Sequence, residues 1–345
     1  MKDIAKIAGI SQQAVAAALS DKGTSKVSEE TRQRVRSIAE KLHYVPNKMA
    51  KRLRGGTSNT IGIYGNPFAS VLEQCLFHEI SMELSRHGYN MTISYSFAEQ
   101  PSEQAIRNLL SDGVDGIIVT AIENPMPQFN LDSVPYVFTP DAGVESFDVV
   151  VDHAAGTREA MRTLIAAGRK SAVFITPAFL GGIYQEPNRQ KYQGIVDGLK
   201  EIGMAPSVLT LEEYGGDSTV IVKRLRQLAP DILFCSNDYF AGRMVSLLME
   251  AGIRVPDDMM VVGYDGLSIC DICAVPLSTI VQPLKKRAEN AIKILFERIK
   301  EGNRSPEPAG IRLPPSFYPS ASCGFSCEKI QKLPLNNSFS MLNVN

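Results

Sequence analysis

The chain of 345 residues has no tryptophan and only four histidines. The histidines show no metal-ligand spacing, and each is more typical of a core or surface histidine than of a ligand: His43, His78, His87 and His153. The sequence also lacks the G-x-G-x-x-G, G-x-x-x-x-G-K-[ST], G-x-S-x-G and H-E-x-x-H motifs of nucleotide-binding and hydrolytic enzymes. These absences disfavour an enzyme, and we predict no catalytic residue, no metal and no cofactor.

Cysteine is sparse as well, with six residues in the whole chain. Cys270 and Cys273 form one closely spaced pair, and Cys323 and Cys327 form another, but the pairs are far apart and neither lies in a recognisable zinc knuckle. We interpret the cysteines as reduced thiols, with structural zinc as the weaker alternative. The sequence shows neither a long apolar run nor a signal-peptide pattern, so we predict a cytoplasmic protein that does not associate with a membrane.

A net charge of −1 conceals an uneven distribution of charge. Residues 1–57 contain twelve lysines and arginines but only five acids, a net charge of +7, which leaves −8 for the rest of the chain. A basic N-terminal segment on an acidic protein is typical of a polyanion-binding region.

The basic segment has three short helical patterns. Apolar residues at helical spacing mark a first helix over Asp3–Ala8, Ser11 is a good N-cap for a second helix over Gln12–Ser20, and Ser28 begins a third. Two short helices joined by a turn at Gly9, followed by a third helix, form a helix-turn-helix pattern. The alternative is a structural three-helix bundle with a solvated basic face.

The next segment favours nucleic acid over that alternative. Pro46 suits the first turn of a helix, and Gly55 ends the run. The intervening residues combine four lysines and arginines with apolar Met49, Ala50 and Leu53. A helix this short is marginal alone, so we predict that it orders on a target, with an apolar side chain inserted in the minor groove.

From Thr60 onward, short β-branched runs alternate with amphipathic helical stretches such as Val71–His87 and Thr157–Ala167. This alternation predicts parallel sheets with helices on both faces. It occurs in two series, which predicts a two-lobed α/β body with a cleft at the carboxyl ends of the strands.

Several motifs in order resemble the LacI/GalR family of transcriptional regulators. The head carries D-I-A-x-x-A-G-I-S from Asp3 and Y-V-P-N-x-x-A-x-x-L from Tyr44. The body continues with Asp115-Gly-Ile-Ile, Ser236-Asn-Asp and Val261-Val-Gly-Tyr-Asp. The resemblance implies a helix-turn-helix head and a periplasmic-binding-protein-like body of two parallel α/β sheets. It also implies an effector-responsive regulator, usually a repressor, that acts as a homodimer on a pseudo-palindromic DNA operator, with a small molecule, usually a sugar, as effector.

The resemblance also divides the chain. The predicted domains are a helix-turn-helix domain at 1–45, a hinge helix and linker at 46–59, an N-lobe at 60–153 completed by 283–315, a C-lobe at 154–282 with a possible completion by 316–327, and a flexible tail at 328–345.

The DNA-binding residues implied by the family pattern lie on the second helix and the hinge: Ser11, Gln12, Gln13, Ala14, Ala17, Asn47, Ala50, Leu53 and Arg54. Leu53 is the residue that would intercalate. The second helix departs from the family because alanine replaces its usual Thr, Ser and base-reading Arg. We therefore expect Gln12 and Gln13 to read bases, since the amide of glutamine pairs with adenine.

The ligand-binding residues implied by the resemblance come from both lobes: Ser70, Leu72, Arg189, Lys191, Asn237, Asp265 and Gln282. Lys191 replaces the family's ligand-clamping arginine, and Arg189 is the nearby substitute. A lysine lacks the bidentate fork of arginine, so we expect an altered ligand preference.

Two alternative functions remain. One is a solute-binding module with a degenerate head, which is favoured by the alanines of the second helix. The other is an enzyme of sugar metabolism.

Overall fold

The structure is a computed structural model. It describes residues 1–19, 27–42, 44, 57–96, 102–120, 134–142, 146–177, 186–210, 218–302 and 307–325. The chain divides into two compact units, Met1–Ser58 and Asn59–Asn345, which we call the head and the body. The predicted hinge helix Pro46–Arg54 lies outside the described residues.

The head contains α1 (Lys2–Ala8), α2 (Gln12–Ala18) and α3 (Glu29–Lys41). Gly9 ends α1 with φ +66°, a conformation that glycine adopts without strain. The hydroxyls of Ser11 and Ser28 accept hydrogen bonds from backbone N–H groups and cap α2 and α3, as predicted. The core of the head is made of small and branched side chains: Ile4, Ala8, Val15, Ala18, Val35 and Ala39.

The body alternates strands and helices along the chain. Its strands are β1 (Thr60–Tyr64), β2 (Asn90–Ser94), β3 (Gly116–Val119), β4 (Tyr136–Phe138), β5 (Val149–Val151), β6 (Ala172–Thr176), β7 (Ser207–Thr210), β8 (Ile232–Cys235), β9 (Met260–Asp265), β10 (Ser278–Val281), β11 (Ile311–Leu313) and β12 (Ser316–Tyr318). Its helices are α4 (Val71–Arg86), α5 (Ser102–Asp112), α6 (His153–Ala166), α7 (Asn188–Lys200), α8 (Ser218–Leu228), α9 (Asp238–Glu250), α10 (Ile269–Ile272) and α11 (Leu284–Glu301), and a 3-10 turn covers Ala321–Cys323.

The strands form two main sheets and one small sheet. The order in the first sheet is β2-β1-β3-β4, and all its pairs are parallel. The order in the second is β12-β10-β9-β8-β6-β7, where only β12 is antiparallel. Strands β5 and β11 pair in parallel with each other. The predicted α/β class with two parallel sheets is confirmed, and we call the two halves the N-lobe and the C-lobe.

The chain passes between the lobes three times, at β5 to α6, at β10 to α11 and at β11 to β12. Helix α11 returns to the N-lobe and packs on α4, β3, β4 and β5. Helix α6 begins at His153, four residues earlier than the predicted Thr157, because the Asp152 carboxylate accepts a hydrogen bond from Ala155 N and caps it. This early start places His153 at the point where the lobes meet.

Candidate functional site

The exposed start of α2 is polar. Ser11, Gln12 and Gln13 are exposed, and Ala14 and Ala17 are half-buried beside the core residues of the same helix. The capping hydrogen bond from Ala14 N to Ser11 Oγ measures 3.1 Å and fixes the start of the helix. The two glutamine amides are therefore the hydrogen-bonding side chains that α2 presents beyond its cap.

Two arginines of the basic segment have structural partners in the head. Arg34 Nη2 donates to Ala8 O over 3.0 Å, and Arg32 Nη1 donates to Ala18 O over 3.4 Å. Both carbonyls lie at helix C-termini, where a cation is stabilised by the helix dipole. Some of the positive charge counted from the sequence thus stabilises the three-helix fold. The hinge residues Asn47, Ala50, Leu53 and Arg54 lie outside the described residues.

In the C-lobe, Asp265 ends β9 with a backbone φ of +109°, which is unusual for a residue with a side chain. Its carboxylate accepts a hydrogen bond from Gln282 Nε2 over 3.0 Å. Both side chains are buried. Burial raises the pKa of Asp265 to about 8, although the Lys191 ammonium acts in the opposite direction.

Lys191 is buried near the start of α7. Its Nζ donates to Ser236 O over 2.9 Å and lies 4.1 Å from the centroid of the Tyr264 ring. Arg189 does not join it, because that side chain is exposed and pairs with Glu186 over 2.6 Å. Arg189 and Lys191 therefore have different surroundings, although the sequence suggested that one could replace the other.

Asn237 is the N-cap of α9, where its Oδ1 accepts from Phe240 N over 2.8 Å. From the sequence, this capping role is equally suited to Asp238. Asp238 is instead fully buried and accepts from Leu267 N over 2.7 Å and from Thr279 Oγ1 over 2.5 Å. Burial raises the pKa of Asp238 to about 7. It ties the loop after Asp265 to the start of α9.

In the N-lobe, Ser70 is the N-cap of α4 and accepts from Glu73 N over 3.1 Å. Leu72 is buried and packs in the N-lobe core. Nothing in the sequence distinguishes the neighbouring Glu73 from other acids in a first helical turn. Burial raises the pKa of Glu73 to about 7, although the Arg287 guanidinium acts to lower it.

Arg287 is likewise absent from the binding residues predicted from the sequence. In the structure its side chain is only 1% exposed. Its Nε donates to Thr139 Oγ1 over 3.0 Å, its Nη2 donates to Thr139 O over 2.5 Å, and its Nη1 lies 3.6 Å from Asp141 Oδ1. The sequence does carry a signal for it. Arg287 occupies the apolar face of α11, between Leu284 and Ala291, where a lysine or arginine is unusual.

His153 joins the lobes and is fully buried. Its Nε2 lies 3.1 Å from Asp141 O, a carbonyl that only accepts, so Nε2 donates this bond. Its Nδ1 lies 2.8 Å from the Tyr264 hydroxyl in the C-lobe. Burial acts to raise the pKa of Asp141, but His153 and Arg287 hold it well below its usual range. A continuous polar path therefore runs from Arg287 to Tyr264.

Eight side chains thus meet where the lobes adjoin, and we call them the junction cluster: Glu73, Asp141, His153, Lys191, Tyr264, Asp265, Gln282 and Arg287. They combine carboxylates, cations and hydrogen-bonding groups. Such a set suits the binding of a small molecule with several hydroxyl or N–H groups.

The cysteine pairs do not form a metal site in the described part of the chain. Cys75, Cys235, Cys270, Cys273 and Cys323 are free thiols, and Cys327 lies outside that part. Within the described ranges, no group of three or more His, Cys, Asp or Glu side chains is placed to hold a metal ion. Among the helices given above, none is long and apolar enough to cross a membrane.

Two family models match the chain in order. Residues 1–47 match the model described as bacterial regulatory proteins, lacI family, and residues 161–323 match that of the periplasmic binding protein-like domain. A relative in Haemophilus influenzae, the HTH-type transcriptional repressor PurR, is 29% identical over 310 residues, which cover 87% of this chain and 90% of the relative.

Solved structures show the same fold. The lac repressor dimer bound to operator and the anti-inducer ONPF has a TM-score of 0.76 and 21% identity, and the match covers 93% of this chain and 98% of that one. The complex of the transcriptional regulator CelR with cellobiose has a TM-score of 0.62 and 23% identity, with 92% and 98% covered. At these identities the likeness supports the fold alone.

Proposed function

Because this chain belongs to the LacI family of bacterial regulatory proteins, we propose that it is a DNA-binding transcriptional repressor controlled by a small-molecule effector. The proposal rests on the combination of two parts in one chain. The head is a helix-turn-helix with a capped, exposed second helix, and the body has two lobes with a polar cluster where they meet. We propose a homodimer on a pseudo-palindromic operator, a form supported by the related lac repressor dimer on its operator.

On the DNA side, we propose that α2 enters the major groove and that Gln12 and Gln13 contact base edges. Both amides are exposed and hydrogen-bonding, whereas Ala14 and Ala17 offer only methyl contacts to thymine. Ser11 caps the helix and suits a phosphate contact. The hinge residues Asn47, Ala50, Leu53 and Arg54 remain proposed minor-groove contacts on the family pattern, with Leu53 as the wedge.

We expect Gln13→Ala to weaken binding to the operator about 10- to 100-fold, because one bidentate base contact is lost. Binding to random duplex should not change, since phosphate contacts supply it. Fluorescence anisotropy with an operator selected from randomised duplex DNA measures both. The exposed Gln33→Ala on α3 is the matched control. Equal losses on operator and random duplex would show that Gln13 does not read bases.

On the effector side, we propose that Lys191, Asp265 and Gln282 form the C-lobe contacts. Their burial in one polar cluster supports this proposal. Asn237 follows Ser236, whose carbonyl accepts from Lys191, and is a further proposed contact. Arg189, Ser70 and Leu72 remain proposed contacts on the family pattern alone. The cellobiose complex of a structural neighbour supports a sugar as the ligand class.

We propose that effector binding changes the contacts between the lobes and thereby the hinge segment 46–54, which lowers operator affinity. The path from Arg287 through Asp141 and His153 to Tyr264 supports this coupling, because it spans both lobes through short polar contacts. A ligand can shift operator affinity only if it binds the two states of the body with different affinity. If the effector is instead a corepressor, the same coupling raises operator affinity.

A thermal-shift screen of sugars and nucleobases identifies ligands, since binding to the native state raises the melting temperature. Operator binding measured with and without each hit then tests the proposal. The alternative, a solute-binding module with a degenerate head, is favoured by the alanine-rich α2. That alternative holds if the protein binds ligands but selects no sequence from randomised DNA.

A further inference from the structure

The motif Asp115-Gly-Ile-Ile leads into β3 and lies outside the junction cluster. Its first residue contacts the segment where the chain enters the body. The N–H of Asn59, the first residue of the body, donates to Asp115 Oδ2 over 2.8 Å. The N–H of Asp115 in turn donates to Thr60 O over 2.9 Å. Asp115 therefore holds the first two residues of the body, one through its carboxylate and one through its backbone.

Asn90, the first residue of β2, holds the same segment from the other side. Strand β1 lies between β2 and β3 in the N-lobe sheet. The backbone N–H and the Nδ2 of Asn90 donate to Asn59 O over 2.8 and 3.2 Å. Asn59 has a φ of +49°, a left-handed conformation that asparagine adopts more readily than most residues. Both polar groups of the Asn59 backbone are thus hydrogen-bonded to the strands that flank β1.

The element that carries Asp115 is tightly packed. Gly116, the next residue, is buried at the start of β3. A Cβ atom at this position would lie 3.0 Å from Leu295 Cδ1 on α11 and 3.1 Å from Pro135 O ahead of β4. The backbone of β3 therefore approaches α11 as closely as a glycine allows. The Asp115 carboxylate extends from a fixed part of the N-lobe, so the position of Asn59 is fixed as well.

We propose that Asp115 is a positioning residue, which fixes the point where the linker leaves the body and thereby sets the spacing between the two half-sites that the dimer binds. The inference rests on the proposed function, because it concerns how a homodimer binds its operator. Once one head is bound, the effective concentration of the second head depends on the length and stiffness of its connection. A connection fixed at Asn59 favours one half-site spacing, whereas one that frays there is longer, tolerates several spacings and binds the preferred one less tightly.

The test compares three duplexes: the operator selected from randomised DNA, the same operator with its half-sites moved apart by two base pairs, and a single half-site. Asp115→Ala should weaken binding to the selected operator about tenfold, because the Asn59 N–H loses a charged acceptor. Binding to the single half-site should stay within about twofold, since it does not depend on the second head. The penalty for the longer spacing should fall at least about fivefold. Fluorescence anisotropy measures all three affinities.

Two pairs of variants separate positioning from a general loss of stability. Asp115→Asn keeps an acceptor for the Asn59 N–H and should restore the spacing preference, and Asp112→Ala, at the exposed end of α5, is the matched control. Asn59→Gly adopts the left-handed conformation without strain and should retain the preference. Asn59→Val should reproduce the effect of Asp115→Ala, because a β-branched residue disfavours that conformation. It also keeps the test valid if Asp115→Ala does not fold.

Hydrogen exchange of the Asn59 amide measures the same contact in the free protein. Asp115→Ala should accelerate this exchange about tenfold, and Asp112→Ala should not change it. Unchanged exchange in Asp115→Ala, or a wild-type spacing preference in both Asp115→Ala and Asn59→Val, would overturn the inference. The proposed function would then stand, because the operator is still bound. Equal binding of selected and random duplex by the wild-type protein would contradict the proposed function and the inference together.

Discussion

Replacing Arg298 by methionine is expected to lower the free energy of unfolding by about 3–5 kcal/mol. The Arg298 and Asp148 side chains are both nearly buried, and two hydrogen bonds of 2.6 and 2.8 Å join them. Arg298 also donates to Tyr136 O and Glu307 O. These contacts tie α11 to the ends of β4 and β5 and to the segment before β11.

The cost arises mainly from Asp148, which the substitution leaves buried without its cation. The N–H groups of Phe138 and Ala309 still donate to it over 2.8 and 3.0 Å, but neither supplies a positive charge. Urea unfolding followed by circular dichroism measures the loss, since the chain has no tryptophan to report it.

Arg162→Met is the matched control, because Arg162 makes a comparable pair with Glu201 on the exposed surface. Exposed pairs contribute little to stability, so this variant should unfold at nearly the wild-type urea concentration. If Arg298→Met unfolded at that same urea concentration, the buried pair would make no measurable contribution to the free energy of unfolding.

Asp265→Ala is expected to weaken effector binding about 100-fold while operator affinity in the absence of effector stays within about twofold. Asp265 is held in an unusual backbone conformation, buried and hydrogen-bonded to Gln282, and these features support its proposed role in effector binding. Loss of two hydrogen bonds from ligand hydroxyls to this carboxylate accounts for the effect. Isothermal titration with the ligand found by thermal shift measures it.

Asp271→Ala is the control for this prediction, since Asp271 is exposed on the neighbouring helix α10. A ligand affinity unchanged in Asp265→Ala would remove Asp265 from the binding site. A large loss of operator affinity without ligand would instead indicate that the substitution disturbs the body as a whole.

The sequence predicts the features of this fold that depend on neighbours in the chain. The caps at Ser11 and Ser28 follow from the preference of serine for that position. Short β-branched runs in the sequence, from residues 61–64 to residues 259–263, predict strands β1 to β9 to within two residues. Asp265 is also predictable, because the end of a parallel strand places its side chain at the cleft.

The features that depend on distant contacts were not predictable. His153 contacts Tyr264, which is more than a hundred positions away in the sequence. Arg287 contacts Thr139, which is also more than a hundred positions away. Glu73 follows a serine cap and is indistinguishable in sequence from any acid in a first helical turn. Only the packing of α4, α6 and α11 brings these residues together.

The capping roles at Asn237 and Asp238 illustrate the same limit. Both residue types suit an N-cap, and local preference does not decide between them. The choice depends on Leu267 and Thr279, whose donors hold Asp238 in the interior.

The proposed function is tested most directly by one titration of purified protein into labelled operator, selected from randomised DNA, with and without the ligand that raises the protein's melting temperature. We predict binding at least about 1,000-fold tighter than to random duplex at physiological salt, and a change of at least about tenfold on adding the ligand. Equal affinity for operator and random duplex, or an operator affinity that no bound ligand changes, would contradict it.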